Sequence, residues 1–191
     1  MAEVLLFHHI QGLTDGVLSF ADELRRAGHT VHTPDLFEGR TFPDISAGQA
    51  YCSEVGFGTV AEAGVAQADS LPESLVYAGF SLGAMPAQQL AQTRPGARGA
   101  LLLHSCLPVD EFGSWPDGLQ AQVHAMADDP FWHEGDRDAA IALHEGRPQD
   151  VEVFEYPGEG HLFADRSLSS YDAEAAGLMT ERVLDFLERV G

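Results

Sequence analysis

The apolar positions of the chain alternate between two patterns, and together they predict strands interleaved with helices. Residues 4–7 form an unbroken apolar run, as in a strand covered on both faces of a parallel sheet. A loop containing Gly12 follows, then an amphipathic stretch from about Thr14 to Ala27, with Gly28 suited to cap the helix end. Residues 29–34 read as a second strand closed by Pro34 and Asp35. Residues 46–67 read as mostly helical with a break near Gly56 and Gly58, residues 75–78 as a short strand, and Ala84–Thr93 as a helix stopped by Pro95 and Gly96. Strands are then predicted at residues 100–104, 122–125 and 151–156, with helices around residues 137–144 and 171–190. The one long irregular stretch, residues 107–118, holds Trp115. This rhythm predicts an α/β fold, a mostly parallel sheet flanked by helices on both faces, with sites in the loops beyond the carboxyl ends of the strands. No linker, repeat or low-complexity segment divides the chain, so one domain is expected over residues 1–191.

Charge and composition narrow the chemistry. Ten basic residues against 30 acidic ones give a net charge of −20, a field that repels phosphate backbones and anionic membranes; neither nucleic acid nor membrane is an expected partner. All the basic residues are Arg and there is no Lys, which removes Schiff-base, Ser-Lys and P-loop mechanisms. No apolar run reaches the roughly 18 residues of a membrane span, and the first residues lack the basic region and cleavage site of a signal peptide, so a cytoplasmic protein is expected. Cys52 and Cys106 are too few for a disulfide framework and read as small buried hydrophobes. The nine His contain no H-E-x-x-H pattern, so neither a metal nor a cofactor is expected.

The most informative motif is Gly79-Phe80-Ser81-Leu82-Gly83, lying between a predicted strand and a predicted helix. This is the G-x-S-x-G nucleophile elbow in the context it requires. A sharp strand-to-helix turn strains the central residue and leaves no room for Cβ atoms two positions away, hence the glycines. Ser81 becomes the candidate nucleophile, and the Leu82 N–H, at the start of the helix, a candidate oxyanion donor. The plainer reading of the same residues is a tight turn with Ser81 as a helix cap.

A serine hydroxyl needs a neutral imidazole to take its proton. His161, flanked by glycines in Gly158-Glu159-Gly160-His161 directly after the last predicted strand, is placed to supply it. The acid that orients the imidazole is expected after the preceding strand, where Asp128 and Asp129 both stand; Glu159 is a third candidate. The order Ser, acid, His is that of the α/β-hydrolases.

With these residues in view, the chain resembles the dienelactone hydrolase family over nearly its whole length. Residues 31–37 (Val-His-Thr-Pro-Asp-Leu-Phe) are similar to the family's P-D-L-aromatic segment, residues 124–131 to its H-x4-D-x-F acid motif, and residues 156–163 to its G-x-x-H-x-F loop. The resemblance implies an α/β-hydrolase fold and selects Asp129 as the acid and His161 as the base. It also implies that the Ile10 N–H is the second oxyanion donor.

Three departures from the family's pattern bear on substrate. Ser81 stands where dienelactone-cleaving members carry a cysteine nucleophile, His9 where they carry a glutamate, and Asp165 where they carry a substrate-binding arginine. Serine esterase chemistry is implied in place of thiolate chemistry, and exchange of a cation for an anion implies a preference against carboxylate-bearing substrates. His8 and His9 are expected either at the pocket mouth, with His9 polarising substrate or holding Ser81, or as a polar pair where the strand leaves the core. Phe131 and Trp132, with Trp115, are expected either in an apolar substrate pocket or in the core. The expected activity is hydrolysis of a small ester or lactone. A thioesterase or perhydrolase using the same triad, or a non-catalytic binding protein on the same fold, are the alternatives, and fold by itself does not choose among them.

Overall fold

The computed structural model describes residues 1–191. Its six strands are β1 (Glu3–Phe7), β2 (Thr30–His32), β3 (Val76–Phe80), β4 (Gly99–Leu103), β5 (Ala121–Met126) and β6 (Val151–Tyr156). They form one parallel sheet in the order β2-β1-β3-β4-β5-β6. The six α-helices are α1 (Asp15–Arg26), α2 (Ile45–Val55), α3 (Phe57–Ala66), α4 (Ala84–Thr93), α5 (Asp136–Gly146) and α6 (Ala173–Val190).

Alternation along the strands divides the core into two layers. Val4 and Leu6 of β1 and Val76, Ala78 and Phe80 of β3 face α1 and α6, where Phe20, Leu24, Val183 and Phe186 close the layer. Leu5, Phe7 and Tyr77 point the other way, toward Ala87 and Leu90 of α4 and Leu143 of α5. Because both faces are covered, the central strands are apolar at almost every position, which is why they read as continuous runs.

Element ends follow local chemistry. The Thr14 side chain accepts the Val17 N–H and starts α1, and Asp44 accepts the Ala47 N–H and starts α2. Gly56, at φ 97°, separates α2 from α3, so the predicted interrupted helix is two helices. β2 is shorter than the sequence suggested, ending at His32 before Thr33-Pro34, because a residue before proline and the proline itself leave the ladder. β3 is longer, running to Phe80 and delivering the chain directly into the elbow.

The chain leaves β1 for β2 on one side and returns to β3 on the other, which places the topological switch point between β1 and β3. Crevices open beyond the carboxyl ends of the strands at such points. No helix is long and apolar enough to cross a membrane.

Candidate active site

Ser81 follows β3 in a tight turn at φ 49°, the left-handed region that L-residues avoid at a cost of about 1–2 kcal/mol. A Cβ at Gly79 would stand 1.9 Å from the Gly83 oxygen, and one at Gly83 would stand 2.6 Å from the His8 oxygen. Glycine is therefore obligatory at both positions, and the elbow packs directly on the backbone leaving β1. Of the three other non-glycine residues with positive φ, Glu38, His104 and Leu162, the last two lie at strand or loop ends on the same edge of the sheet. Strained backbone thus gathers where loops converge.

The Ser81 Oγ lies 2.8 Å from His161 Nε2. On its other side His161 Nδ1 lies 2.6 Å from Asp129 Oδ2. An ionised carboxylate only accepts, so Nδ1 carries the proton and Nε2 presents its lone pair to the serine hydroxyl. The second oxygen of Asp129 accepts the Phe131 N–H at 2.9 Å. Asp129 is fully buried, whereas Asp128 and Glu159 are exposed. The structure brings Ser81, His161 and Asp129 into one hydrogen-bonded line across the ends of β3, β5 and β6.

Phe131 is half-buried, its ring 4.6 Å from that of His161. It borders a cleft of about 580 Å³ beside His161. Loops absent from the sequence-based expectation supply the other walls: Pro43 to Ser46 at the start of α2, and Ser167 to Ser170 beyond His161. The Ser-Leu-Ser-Ser run and the capping Asp44 were the available signals. Asp44 and Glu159 are the charged residues of the lining, and neither Lys nor Arg contributes.

The structure decides two readings that the sequence left open and changes a third. Trp132 is in the core with no exposed surface, its indole N–H donating to Glu155 Oε1 at 2.9 Å, because the turn after Phe131 directs it between β6 and α5. His9 is also fully buried; its Nε2 lies 2.7 Å from Asp165 Oδ2, so the ring neither lines the cleft nor holds Ser81. Asp165 is 1% exposed and turned inward to His9, Thr14 and Ser167, so it does not itself repel an anionic substrate. Two departures noted separately in the sequence are each other's partner.

Ile10 and Leu82 flank a small apolar cluster with Phe37, Cys52 and Val60. The Ile10 N–H donates to no protein acceptor, whereas the Gln11 N–H is held by His9 Nδ1 at 3.2 Å and the Gly12 N–H by the His9 oxygen at 3.0 Å. Behind the triad, burial holds His104 well below the usual imidazole pKa; its ring stacks on Phe80 and lies 6.0 Å from that of His161. The Cys106 thiol is pushed up to about 12 by burial, with Asp136 adding to the effect, which leaves no reactive thiolate near the site. A separate groove of about 520 Å³, between residues 91–98 and 116–120, lies at the opposite end of the strands and touches none of these groups.

The sequence matches the dienelactone hydrolase family over residues 1–191. The chain belongs to that family. Family and fold together make it an α/β-hydrolase that acts on ester bonds. No curated protein matches it by sequence. Among solved structures, a dienelactone hydrolase-like promiscuous phosphotriesterase from metagenomic libraries superposes with a TM-score of 0.77 at 19% identity, covering 100% of this chain and 87% of the other. Carboxyl esterase 2 from the mycorrhizal fungus Tuber melanosporum gives 0.72 at 13% identity, covering 100% and 78%. Thermogutta terrifontis esterase 2 gives 0.62 at 16% identity, covering 100% and 83%. At these identities the likeness is one of fold.

Proposed function

We propose that this hydrolase works through an acyl-enzyme on Ser81 and cleaves small esters or lactones whose groups near the cleft are neutral or cationic. One observation carries the reading: the continuous hydrogen-bonded line from Ser81 Oγ through His161 to buried Asp129, built on a strained elbow. As Ser81 Oγ bonds to the substrate carbonyl carbon, its proton passes to His161 Nε2 and the carbonyl electron pair moves onto oxygen. The Leu82 and Ile10 N–H groups receive that oxyanion. Collapse of the adduct breaks the bond to the leaving alkoxide, which takes the proton from His161. Water then repeats the sequence on the acyl-enzyme, with His161 as base, and frees the acid. Asp129 stays ionised throughout, holding the ring and stabilising the imidazolium.

The preference for neutral or cationic groups rests on Asp44 and Glu159 in the cleft wall and on the net charge of −20. A fluorophosphonate probe tests the nucleophile: labelling located at Ser81 by mass spectrometry and abolished in His161→Ala is expected. Absence of labelling in folded protein, or equal labelling of the variant, would overturn the reading. A panel of p-nitrophenyl esters with neutral, cationic and anionic acyl groups tests the substrate class, the anionic ones being expected to have the lowest kcat/KM.

A further inference from the structure

The segment that leaves β1 carries two adjacent histidines, both fully buried, and the triad uses neither. Their hydrogen bonds fix both tautomers. Asp165 is a carboxylate and can only accept, so His9 Nε2 carries a proton and donates it at 2.7 Å, while His9 Nδ1 accepts the Gln11 N–H at 3.2 Å. His8 Nε2 accepts the Leu36 N–H at 3.0 Å, so His8 Nδ1 carries the proton and donates to the His9 oxygen at 2.7 Å. That same oxygen accepts the Gly12 N–H, and the Gln11 oxygen accepts the Phe42 N–H at 2.9 Å. Among the N–H groups of residues 10–12, only that of Ile10 is left undirected to protein.

Asp165 ties this loop to two others. It lies four positions beyond His161, accepts from the Thr14 hydroxyl that caps α1, and accepts from both the N–H and the hydroxyl of Ser167, at 2.8 and 2.6 Å. A Cβ at Gly16 would stand 1.6 Å from its Oδ1, so the carboxylate sits against the first turn of α1, where the helix dipole favours an anion. Burial would raise its pKa, but the bonds from His9, Ser167 and Thr14 outweigh that and lower it to about 2.

We propose that His8, His9 and Asp165 are positioning residues, a brace of two neutral imidazoles and one carboxylate that holds residues 8–11 so that the Ile10 N–H stays aimed at the oxyanion formed on the Ser81 adduct. The proposal rests on the acyl-enzyme reading above. Two of the backbone groups the brace holds, the His9 oxygen and the Gln11 N–H, belong to the peptide planes on either side of Ile10, and the elbow glycine Gly83 packs against the His8 oxygen at its far side. A donor prepared in this way needs no reorganisation when charge develops, and its effect falls on the transition state in preference to the ground state.

Two substitutions separate the two functions of His9. In His9→Gln the amide can still donate to Asp165 but offers no acceptor at the Nδ1 position, whereas His9→Asn keeps an acceptor near Gln11 and is too short to reach Asp165. With p-nitrophenyl butyrate, and Ser81→Ala as the blank, both variants are expected to lose about 10- to 100-fold in kcat while KM stays within about 2-fold, since removal of an oxyanion donor typically costs 100- to 1000-fold. The inhibition constant of an aryl trifluoromethyl ketone, which adds reversibly to a serine nucleophile, is expected to rise by the same factor as kcat/KM falls. Folded variants with unchanged kcat, or a trifluoromethyl ketone affinity that does not follow kcat/KM, would overturn the brace while wild-type turnover stands. A wild type with no Ser81-dependent turnover would instead remove the acyl-enzyme reading and the brace with it. Should both variants fail to fold, 15N relaxation of the wild-type protein decides: a backbone order parameter for Ile10 near the rigid value of about 0.85 is expected, and one below about 0.6 would overturn the brace.

Discussion

The molecule contains two buried imidazole–carboxylate pairs of nearly identical length, His161–Asp129 at 2.6 Å and His9–Asp165 at 2.7 Å, and they are wired in opposite senses. In the first, the carboxylate takes the Nδ1 proton and Nε2 is left to meet a hydroxyl on a strained turn. In the second, the carboxylate takes the Nε2 proton and Nδ1 is consumed by a backbone N–H. What separates a candidate base from a structural histidine is thus neither burial nor the acid partner, but what the second nitrogen is free to accept. The difference also divides the expected consequences of mutation: loss of the chemistry itself from the first pair, and from the second a smaller loss of rate, through geometry, together with a loss of stability.

The largest effects should come from breaking the first pair. Ser81→Ala and His161→Ala are each expected to lower kcat for a reactive ester by about 10⁴- to 10⁶-fold, and the double variant by no more than either one, because the residues act as a unit. Steady-state kinetics on all three proteins checks this. Asp129→Asn should keep the fold and lose about 10⁴-fold, since the amide can turn its NH₂ toward His161 and impose the wrong tautomer. In the second pair, Asp165→Asn is expected to cost about 2 kcal/mol of stability at pH 7, measured by urea unfolding. The sign follows from the depressed pKa: the folded state keeps the carboxylate ionised where the unfolded chain binds a proton. The difference from wild type should therefore be full above about pH 4, the unfolded value, and vanish as the pH falls through about 2.

Other buried histidines sharpen the contrast at milder acidity. Burial holds His8 at about 4 and His124 at about 3, so the unfolded chain binds protons below about pH 6.5 that the folded state refuses. Each should cost about 2 kcal/mol between pH 7 and pH 5, read as a fall in the urea midpoint, and His8→Gln should remove its share of that slope. The smallest expected effect lies in the cleft wall: Glu159→Gln should narrow the preference for a cationic over an anionic ester by about 2- to 5-fold in kcat/KM, as fits one exposed charge.

Sequence carried the local part of this picture far. The glycines at 79 and 83 announced the elbow because a Cβ at either position has nowhere to go, and Ala84–Thr93 and Val151–Tyr156 matched because a proline-stopped amphipathic helix and a Val- and aromatic-rich segment interrupted by glutamates leave few alternatives. The doubly covered sheet followed from central strands apolar at almost every position. Partnerships formed across the fold were illegible. His9 and Asp165 are 156 positions apart, and no local pattern says that one faces the other and not the cleft. Trp132 was ambiguous for a related reason, since a three-residue turn decides whether its neighbour Phe131 or Trp132 itself meets the site. The cleft walls come from loops whose polar composition is that of any loop.

The two rims of the sheet bear on how this acidic chain keeps its own company. β2 offers only three residues of ladder, and its His32 is paired with Glu3. β6 is longer, but Glu152 and Glu155 hold Arg189 and Arg137 along it, and the guanidinium of Arg182 lies 4.2 Å from the ring centre of Phe154. A second molecule adding a strand at either rim would have to strip water from these ions or settle for a few hydrogen bonds. Protection against amyloid-like edge growth is therefore built into the outermost strands, independently of whatever happens in the cleft.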